Sequence, residues 1–284
     1  MSTIAVTGST GQLGALIIKS LKTKGANDVI ALARTPSKAE ALDVPARKAD
    51  YNQPNTLLSA LQGVDTLCLV SSSEVGKRLE QHANVINAAK EAGVKNIVYT
   101  SLLNADTSTL SLAGEHIGTE KLLKESGLNY TLLRNGWYTE NYASAISAAP
   151  QIGGVFGSAK DGKISAATRQ DYAEAAAVVL THIDDHKNAS HELSGDVAFT
   201  LEDLANEIGK QTNKSISYTN LPAEEYASVL IKNGVPEGFA HMLADLDVET
   251  AKGALHDPNN NTLSTLIGRP TTPLSTAVKD ILNG

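Results

Sequence analysis

Three glycines at intervals of three residues, Gly8, Gly11 and Gly14, form the first candidate site in this sequence. They follow the short apolar run Ile4–Val6 and precede a helical pattern of leucine and isoleucine residues. Between a strand and a helix, such glycines permit a sharp bend, a close approach of the backbone to a pyrophosphate, and tight helix packing. The N–H groups and the positive dipole end of the helix then face the phosphates. The pattern predicts a dinucleotide-binding turn with contacts from Gly8, Ser9, Thr10, Gly11, Gln12 and Leu13. A glycine turn that serves packing alone is the alternative.

The residues after the second apolar run, Val29–Ala33, bear on which dinucleotide binds. An acid at this position would hydrogen-bond a ribose 2′-hydroxyl group, whereas a basic residue accommodates a 2′-phosphate. The run is followed by Arg34, with Lys38 as a second positive charge and no acid at the strand end. Because a guanidinium group can grip a phosphate with two hydrogen bonds, Arg34 predicts a preference for NADP(H). A solvated surface arginine is the alternative.

Two more polar stretches follow apolar runs. Asp50 ends the third run, where its carboxylate could reach an adenine amino group or lie in an exposed turn. Ser71, Ser72 and Ser73 follow the fourth run, and their hydroxyl and N–H groups suit a ribose or a phosphate. A plain serine turn explains the second stretch equally well.

Six apolar runs of strand type alternate with helical patterns in the first half of the chain. They are Ile4–Val6, Val29–Ala33, Ala46–Asp50, Thr66–Val70, Asn96–Thr100 and Tyr130–Arg134. The helical patterns between the later runs cover Leu57–Leu61, Gln81–Ala92 and Glu115–Ser126. Strands that are apolar throughout and separated by helices are typical of a parallel sheet covered on both faces. With right-handed crossovers, they predict an α/β protein with a Rossmann-type, doubly wound sheet.

After Gly136 the pattern changes, and a smaller α/β cap domain is predicted. Helices are predicted at Tyr172–Thr181, Thr200–Gln211, Ala223–Asn233 and Leu274–Leu282, with Pro-rich loops between the last two. Short strands are predicted near Glu192 and at Ile216–Thr219. We therefore expect residues 1–135 to form an NADP-binding domain and residues 136–284 to be mainly a substrate-binding cap. Segments around residues 163–190 are expected to return to the first domain.

Composition excludes several classes of function. The chain has 284 residues, of which 24 are basic and 31 acidic, and this net charge of −7 argues against binding of nucleic acid or an anionic membrane surface. Cys68 lies within an apolar run, so we expect a buried thiol and neither a disulfide nor a thiolate metal site. The histidines have no metal-ligand spacing, and no metal is expected. Since no signal peptide or apolar run of spanning length is present, a cytoplasmic protein without membrane insertion is expected.

Several stretches resemble the NmrA-like branch of the atypical short-chain dehydrogenase/reductases, along nearly the whole chain. They are TGSTGQLG (Thr7–Gly14), SSSEVG (Ser71–Gly76), YTSLLNADTS (Tyr99–Ser108), EHIGTEKLL (Glu115–Leu123), YTLLRNGWYTENY (Tyr130–Tyr142) and ATRQDYA (Ala167–Ala173). The likeness is strongest to the NADPH-dependent, quinone-reducing members. It implies NADPH as cofactor, a quinone or another planar aromatic molecule as substrate, and is compatible with a homodimer. Regulators of this family that bind NADP(H) without turnover, and dye reductases, are the alternatives.

One departure from typical short-chain dehydrogenases affects the expected chemistry. Those enzymes use Tyr-x-x-x-Lys, in which the phenol protonates a carbonyl group. Lys121 fits the lysine, but Ile117 stands where the tyrosine belongs, and His116 is one residue away. Reduction of simple ketones is therefore not expected. Reduction of a quinone does not need a positioned proton donor, because the charge of the reduced anion is delocalised. Hydride transfer then depends mainly on the proximity and orientation of the two rings.

The segment after the sixth run supplies most remaining candidates. By resemblance it borders the nicotinamide and the substrate, through Trp137, Tyr138, Thr139, Glu140, Asn141 and Tyr142. Arg169 is implied near the cofactor, although with Asp171 it could simply form a charge pair at a helix start. Tyr138 and Asn141 are the main catalytic candidates. By analogy with the family Lys121 is a ribose contact, with a solvated helix lysine as the alternative. His116 is a candidate proton donor, with a capping or surface histidine as the alternative. An aromatic hinge that only packs the cap is the alternative for this segment.

Overall fold

The computed structural model describes residues 2–258 and 260–284. Its strands are β1 (Ile4–Val6), β2 (Val29–Ala33), β3 (Ala46–Lys48), β4 (Thr66–Leu69), β5 (Asn96–Leu102), β6 (Asn129–Asn135), β7 (Gly154–Gly157), β8 (Ala189–Leu193) and β9 (Ser217–Asn220). Its helices are α1 (Gln12–Thr23), α2 (Pro54–Ala60), α3 (Arg78–Glu91), α4 (Ala113–Glu125), α5 (Ala143–Ile152), α6 (Arg169–Thr181), α7 (Leu201–Thr212), α8 (Ala223–Lys232), α9 (Glu237–Ala251), α10 (Thr262–Ile267) and α11 (Leu274–Asn283).

The main sheet has seven strands in the order β3-β2-β1-β4-β5-β6-β8, and all of its neighbouring pairs are parallel. Ile4 of β1 is in register with Val29 of β2 on one side and with Thr66 of β4 on the other. The strand order therefore reverses around β1, which is where ligands bind in open α/β sheets. This arrangement confirms the predicted Rossmann-type fold.

Two hydrophobic layers cover the sheet. On one face Ile17 and Leu21 of α1 pack with the alanines of α6, such as Ala173 and Ala177, and these small residues let the two helices lie close together. On the other face, side chains of α2, α3 and α4 pack against the apolar strands. Because both faces are covered, β2 and β4 are buried along their whole length. The carboxyl edge of the sheet is left for the site.

The second half of the chain forms a third hydrophobic cluster, which includes Ile146 of α5, Leu204 of α7 and Leu246 of α9. A two-stranded parallel sheet of β7 and β9 lies in this part. Helix α6 and strand β8 belong to the main sheet layer instead, since β8 pairs with β6. The boundary between the two domains stays a prediction.

Two local predictions were wrong. The stretch predicted as Pro-rich loops contains α9, because Pro236 directly precedes its first turn, a position at which a proline sacrifices no helical hydrogen bond. The third strand ends at Lys48 rather than Asp50, whose carboxylate oxygens accept hydrogen bonds from the Asn52 N–H and the Gln53 side chain and so form a turn. Within the two described ranges, no helix combines the length and apolar character needed to cross a membrane.

Candidate functional site

A cleft of about 480 Å³ lies at the carboxyl edge of the sheet, around the end of β1. It collects residues from the glycine turn, from the ends of β2, β3 and β4, and from the start of α6. They are Gly8, Thr10, Gly11, Gln12, Leu13, Gly14, Leu32, Ala33, Arg34, Ala49, Asp50, Tyr51, Asn52, Val70, Ser71, Ser72, Ser73, Glu74, Gln81 and Arg169. The predicted cofactor residues from the turn, from β2 and from the serine stretch thus meet in one cleft, except Ser9.

The glycine turn has the shape that its sequence predicts. Gly8 has a φ of +57°, in the left-handed region that favours glycine. A Cβ atom on Gly14 would lie 2.3 Å from the Gly8 carbonyl oxygen, so only glycine lets α1 start this close to the turn. The first turn of α1 has no side-chain cap and no acidic residue. Its free N–H groups and positive dipole end therefore favour an anion.

Ser9 supports the turn from behind. Its side chain is fully buried, and its hydroxyl donates to the Leu32 carbonyl oxygen at 2.9 Å. The structure thus places this predicted cofactor contact beneath the cleft, where it ties the turn to β2.

The loop after β4 is held by buried polar side chains. The Ser71 N–H donates to Thr100 Oγ1 at 2.9 Å, and the Ser72 N–H donates to His82 Nε2 at 2.9 Å. Burial, followed by the charge of Arg78, lowers the pKa of His82 to about 3, so the ring is neutral near neutral pH. These contacts fix the serine backbone along one wall of the cleft.

Arg169 joins the cleft to the predicted substrate segment. Its guanidinium carbon lies 4.6 Å from the centre of the Tyr138 ring, and Nη2 donates to Asn141 Oδ1 at 2.8 Å. The Arg169 N–H donates to the Glu140 carboxylate at 2.9 Å. Burial raises the pKa of Tyr138, which keeps its phenol protonated. Tyr138, Glu140 and Asn141 are therefore grouped around a cation that itself lines the cleft.

The structure does not bring all the predicted residues to the cleft. Trp137 and Tyr142 pack against the cap's hydrophobic cluster, and Thr139 is buried with its N–H donating to the Ala167 carbonyl oxygen. Lys121 is largely exposed and lies 3.9 Å from Glu125. His116 is buried, and its Nδ1 lies 2.7 Å from the Tyr99 hydroxyl.

Burial also lowers the pKa of His116 to about 3, so its ring carries no proton to donate as an imidazolium near neutral pH. Lys121 and His116 therefore stand apart from the cleft.

Several lining residues are not among the predicted contacts, among them Tyr51, Gln81 and Glu74, which follows the predicted serines in the same loop. Tyr51 and Glu74 come just after β3 and β4, so their position at the carboxyl ends of strands was an available signal. Gln81 lies in α3, and nothing in its local sequence distinguishes it. Cys68 is fully buried as predicted, and burial raises the pKa of its thiol to about 12. Across the described residues, no group of three or more His, Cys, Asp or Glu side chains is arranged to hold a metal ion.

The parallel sheet brings a glycine turn, an uncapped helix start and two arginines together around one switch point. This arrangement defines a dinucleotide-binding protein of the Rossmann class. Comparison with known families makes the assignment specific. The model of the NmrA-like family matches residues 1–273, and the chain belongs to that family.

Proteins similar to this chain include two reductases. The chain is 54% identical to quinone oxidoreductase 2 of Escherichia coli (strain K12), over 99% of each chain. A crystal structure of the NADPH-dependent quinone oxidoreductase of that organism complexed with NADPH has a TM-score of 0.94 at 53% identity, and the match covers 99% of this chain and 100% of that one. A triphenylmethane reductase from a Citrobacter species complexed with NADP(H) has a TM-score of 0.94 at 36% identity, again over 99% and 100% of the two chains.

Proposed function

We propose that this protein is an NADPH-dependent quinone oxidoreductase, which transfers a hydride from NADPH to a quinone. The observation that carries the proposal is the convergence of the glycine turn, Arg34 and Arg169 on one cleft. The full-length likeness to the Escherichia coli quinone oxidoreductase supports the same activity.

The residues of the cleft fit NADPH by the chemistry of their donors. The uncapped start of α1 and the glycine turn offer N–H groups to the pyrophosphate. Arg34, at the end of β2, offers a guanidinium to the 2′-phosphate. Ser71 and Ser73 offer their hydroxyl groups to a ribose. The Ser71 and Ser72 N–H groups already donate to Thr100 and His82, and the Ser72 hydroxyl donates to Gln81. When bound, NADPH supplies the hydride.

The acceptor end of the site is assigned to the segment beside Arg169. The Asn135 Oδ1 atom is buried and accepts no hydrogen bond from any described residue, so an acceptor is available at the end of β6. Tyr138 and Asn141 are held by Arg169, and we assign them to orient the nicotinamide and the quinone. Trp137 and Tyr142 would form the wall between this end and the cap, where a flat ring finds apolar cover.

Reduction of a quinone does not need a proton from a side chain. This explains why the chain can lack the tyrosine of typical short-chain dehydrogenases. Ile117 takes its place on α4 and is 40% exposed, so no acid stands at that position. A reduced quinone is a delocalised anion that can take its proton from water. The chain's own residues then need only bind and orient the two rings.

The test measures NADPH oxidation by its absorbance, with purified protein and a benzoquinone. We expect a rate proportional to enzyme concentration, and a far lower rate with a simple ketone as acceptor. Binding of NADPH without any turnover would instead favour a redox-sensing regulator. Equal rates with ketones and quinones would contradict the role given to the missing tyrosine.

A triphenylmethane dye in the same assay tests whether other planar electrophiles use the site, as the likeness to the Citrobacter enzyme suggests. Action in the cytoplasm is part of the proposal and is consistent with a chain whose one cysteine is a buried thiol.

A further inference from the structure

Two opposite charges face each other across the mouth of the cleft. Arg34 directly follows β2, and Glu74 lies in the loop after β4, so the two residues come from the strands on either side of β1. Arg34 Nη1 lies 3.8 Å from Glu74 Oε1, and both side chains line the cleft. In the described parts of the chain, neither charged group forms another ion pair or a side-chain hydrogen bond. The pair therefore passes over the end of β1, where the glycine turn begins.

The ion pair is weak, so either side chain can readily take another partner. The side chains of Arg34 and Glu74 are 75% and 40% exposed, and exposed ion pairs of this kind are weak. Among the described residues, no other side chain holds the Glu74 carboxylate, although the Glu74 N–H donates to Ser72 Oγ at 3.2 Å. The carboxylate of Asp50, also in the cleft, is instead engaged in its own turn. A ligand anion that reaches Arg34 would have to displace the Glu74 carboxylate and remain close to it. Like charges at such short range repel.

We propose that Glu74 is a specificity-determining residue that competes with the 2′-phosphate of NADP(H) for Arg34. This inference rests on the proposed function. NADPH and NADP⁺ both carry the phosphate, so Glu74 weakens the binding of both and keeps the oxidised product exchangeable. NADH has a neutral 2′-hydroxyl group at this position and leaves the pair intact. Glu74 therefore has little effect on the affinity for NADH. Glu74 thus limits the preference for NADPH that Arg34 creates.

The experiment measures dissociation constants of NADPH, NADP⁺ and NADH for the wild-type protein and Glu74→Gln. We expect NADPH and NADP⁺ to bind about two- to fivefold more tightly to the variant, the range that an exposed ion pair implies, and NADH to change by less than about 1.5-fold. The gain should shrink at high ionic strength, because salt screens exposed charges. Glu91→Gln, at the far end of α3, removes the same charge from an exposed site and should leave all three constants unchanged.

A double-mutant cycle with Arg34→Ala separates this inference from the proposed function. Arg34→Ala alone should weaken NADPH far more than NADH, and equal losses would overturn the assignment of Arg34 to the 2′-phosphate. If Arg34→Ala discriminates but Glu74→Gln binds NADPH like the wild type, only the inference on Glu74 fails. In the Arg34→Ala background, the gain from Glu74→Gln should be clearly smaller. A gain of the same size would show that Glu74 acts without Arg34 and would overturn the competition.

Discussion

At the scale of single residues, His82 shows how a buried side chain positions the serine loop that lines the cleft. The Ser72 N–H can only donate, so His82 Nε2 must accept and carries no proton. The proton is then on Nδ1 and is donated to Thr119 Oγ1 at 2.9 Å, while the Thr119 hydroxyl donates to the Glu115 carbonyl oxygen. The lowered pKa of His82 keeps this neutral tautomer intact over the ordinary pH range.

Two substitutions of His82 distinguish positioning of the loop from simple packing. The amide oxygen of Gln can reach the position of Nε2 and still accept the Ser72 N–H, whereas Asn reaches only the position of Nδ1. An unsatisfied buried N–H costs about 1–3 kcal/mol, so His82→Asn should raise the KM for NADPH about tenfold or more. His82→Gln should raise it by less than about threefold. Steady-state kinetics at saturating quinone should show little change in kcat for either variant.

The control for this pair is Thr119→Val, which removes the partner of Nδ1 and leaves Ser72 and His82 in place. It should lower thermal stability with a smaller effect on the KM for NADPH. Equal effects of His82→Gln and His82→Asn on that KM would contradict a role in positioning the loop.

At the scale of secondary-structure elements, the contact between α1 and the turn before it depends on the absence of a Cβ atom at Gly14. A Cβ atom at Gly14 would lie 2.8 Å from the Gly8 carbonyl carbon as well as 2.3 Å from its oxygen. Both neighbours are backbone atoms, which cannot move aside as a flexible side chain would. The helix start and the turn, which are proposed to bind the phosphates together, are therefore coupled.

Gly14→Ala should separate α1 from the turn, with a loss of about 1–3 kcal/mol in the free energy of unfolding and much weaker NADPH binding. Gly114→Ala is the matched control, because Gly114 lies in α4 and a Cβ atom there would meet nothing within 4 Å. That substitution should stabilise the protein by up to about 1 kcal/mol, since alanine favours a helix over glycine. Denaturant unfolding and cofactor titration measure both effects. Identical results for the two variants would mean that the turn tolerates a side chain.

At the scale of the whole molecule, buried charges in the sheet and in the cap have different roles. Arg134 of β6 donates from Nη2 to Glu120 of α4 at 2.6 Å and from Nη1 to Glu192 of β8 at 2.8 Å. This arginine belongs to the stretch Tyr130–Tyr142 that carries the family resemblance, yet it ties a helix to two strands and does not line the cleft. Asp247 in α9 is different, because it is buried and no cation among the described residues pairs with it. Its Oδ2 accepts the Ser158 N–H at 2.8 Å.

Burial raises the pKa of Asp247 from 3.8 to about 6, so the folded protein holds this proton more strongly than the unfolded chain. Stability that Asp247 contributes at low pH is therefore lost as the pH rises from about 4 to about 6, on the order of 3 kcal/mol in total. Asp247→Asn keeps an acceptor for Ser158 and removes the charge. The variant should melt at a higher temperature than the wild type near pH 8 and at a similar temperature near pH 4.

Comparing the variant with the wild type isolates the effect of Asp247 on the pH dependence of stability from the opposite effect of other groups. The lowered pKa values of His82 and His116 make stability rise with pH over the same interval, but they act equally in both proteins. A difference in melting temperature that does not depend on pH would contradict the assignment.

The sequence alone predicted the features that depend on residues close together in the chain. The glycine turn needs only the backbone freedom of Gly8 and the space at Gly14, and the bounds of β1 and β2 agree with the predicted apolar runs. Arg34 was found because the end of a strand in this fold has a known place relative to the turn. Helix α9 was missed because proline signals both a loop and a helix start.

Only the tertiary structure decided which distant side chains share the cleft. It paired Arg34 with Glu74, placed Arg169 over Tyr138, and set Ser72 on His82. It also placed Lys121 on the surface and His116 in a buried cluster. The likeness to typical short-chain dehydrogenases had suggested both residues for the site. A motif records spacing along one element, whereas a contact between elements depends on how each helix is rotated and packed on the sheet. That rotation is set by the hydrophobic layers of the whole molecule.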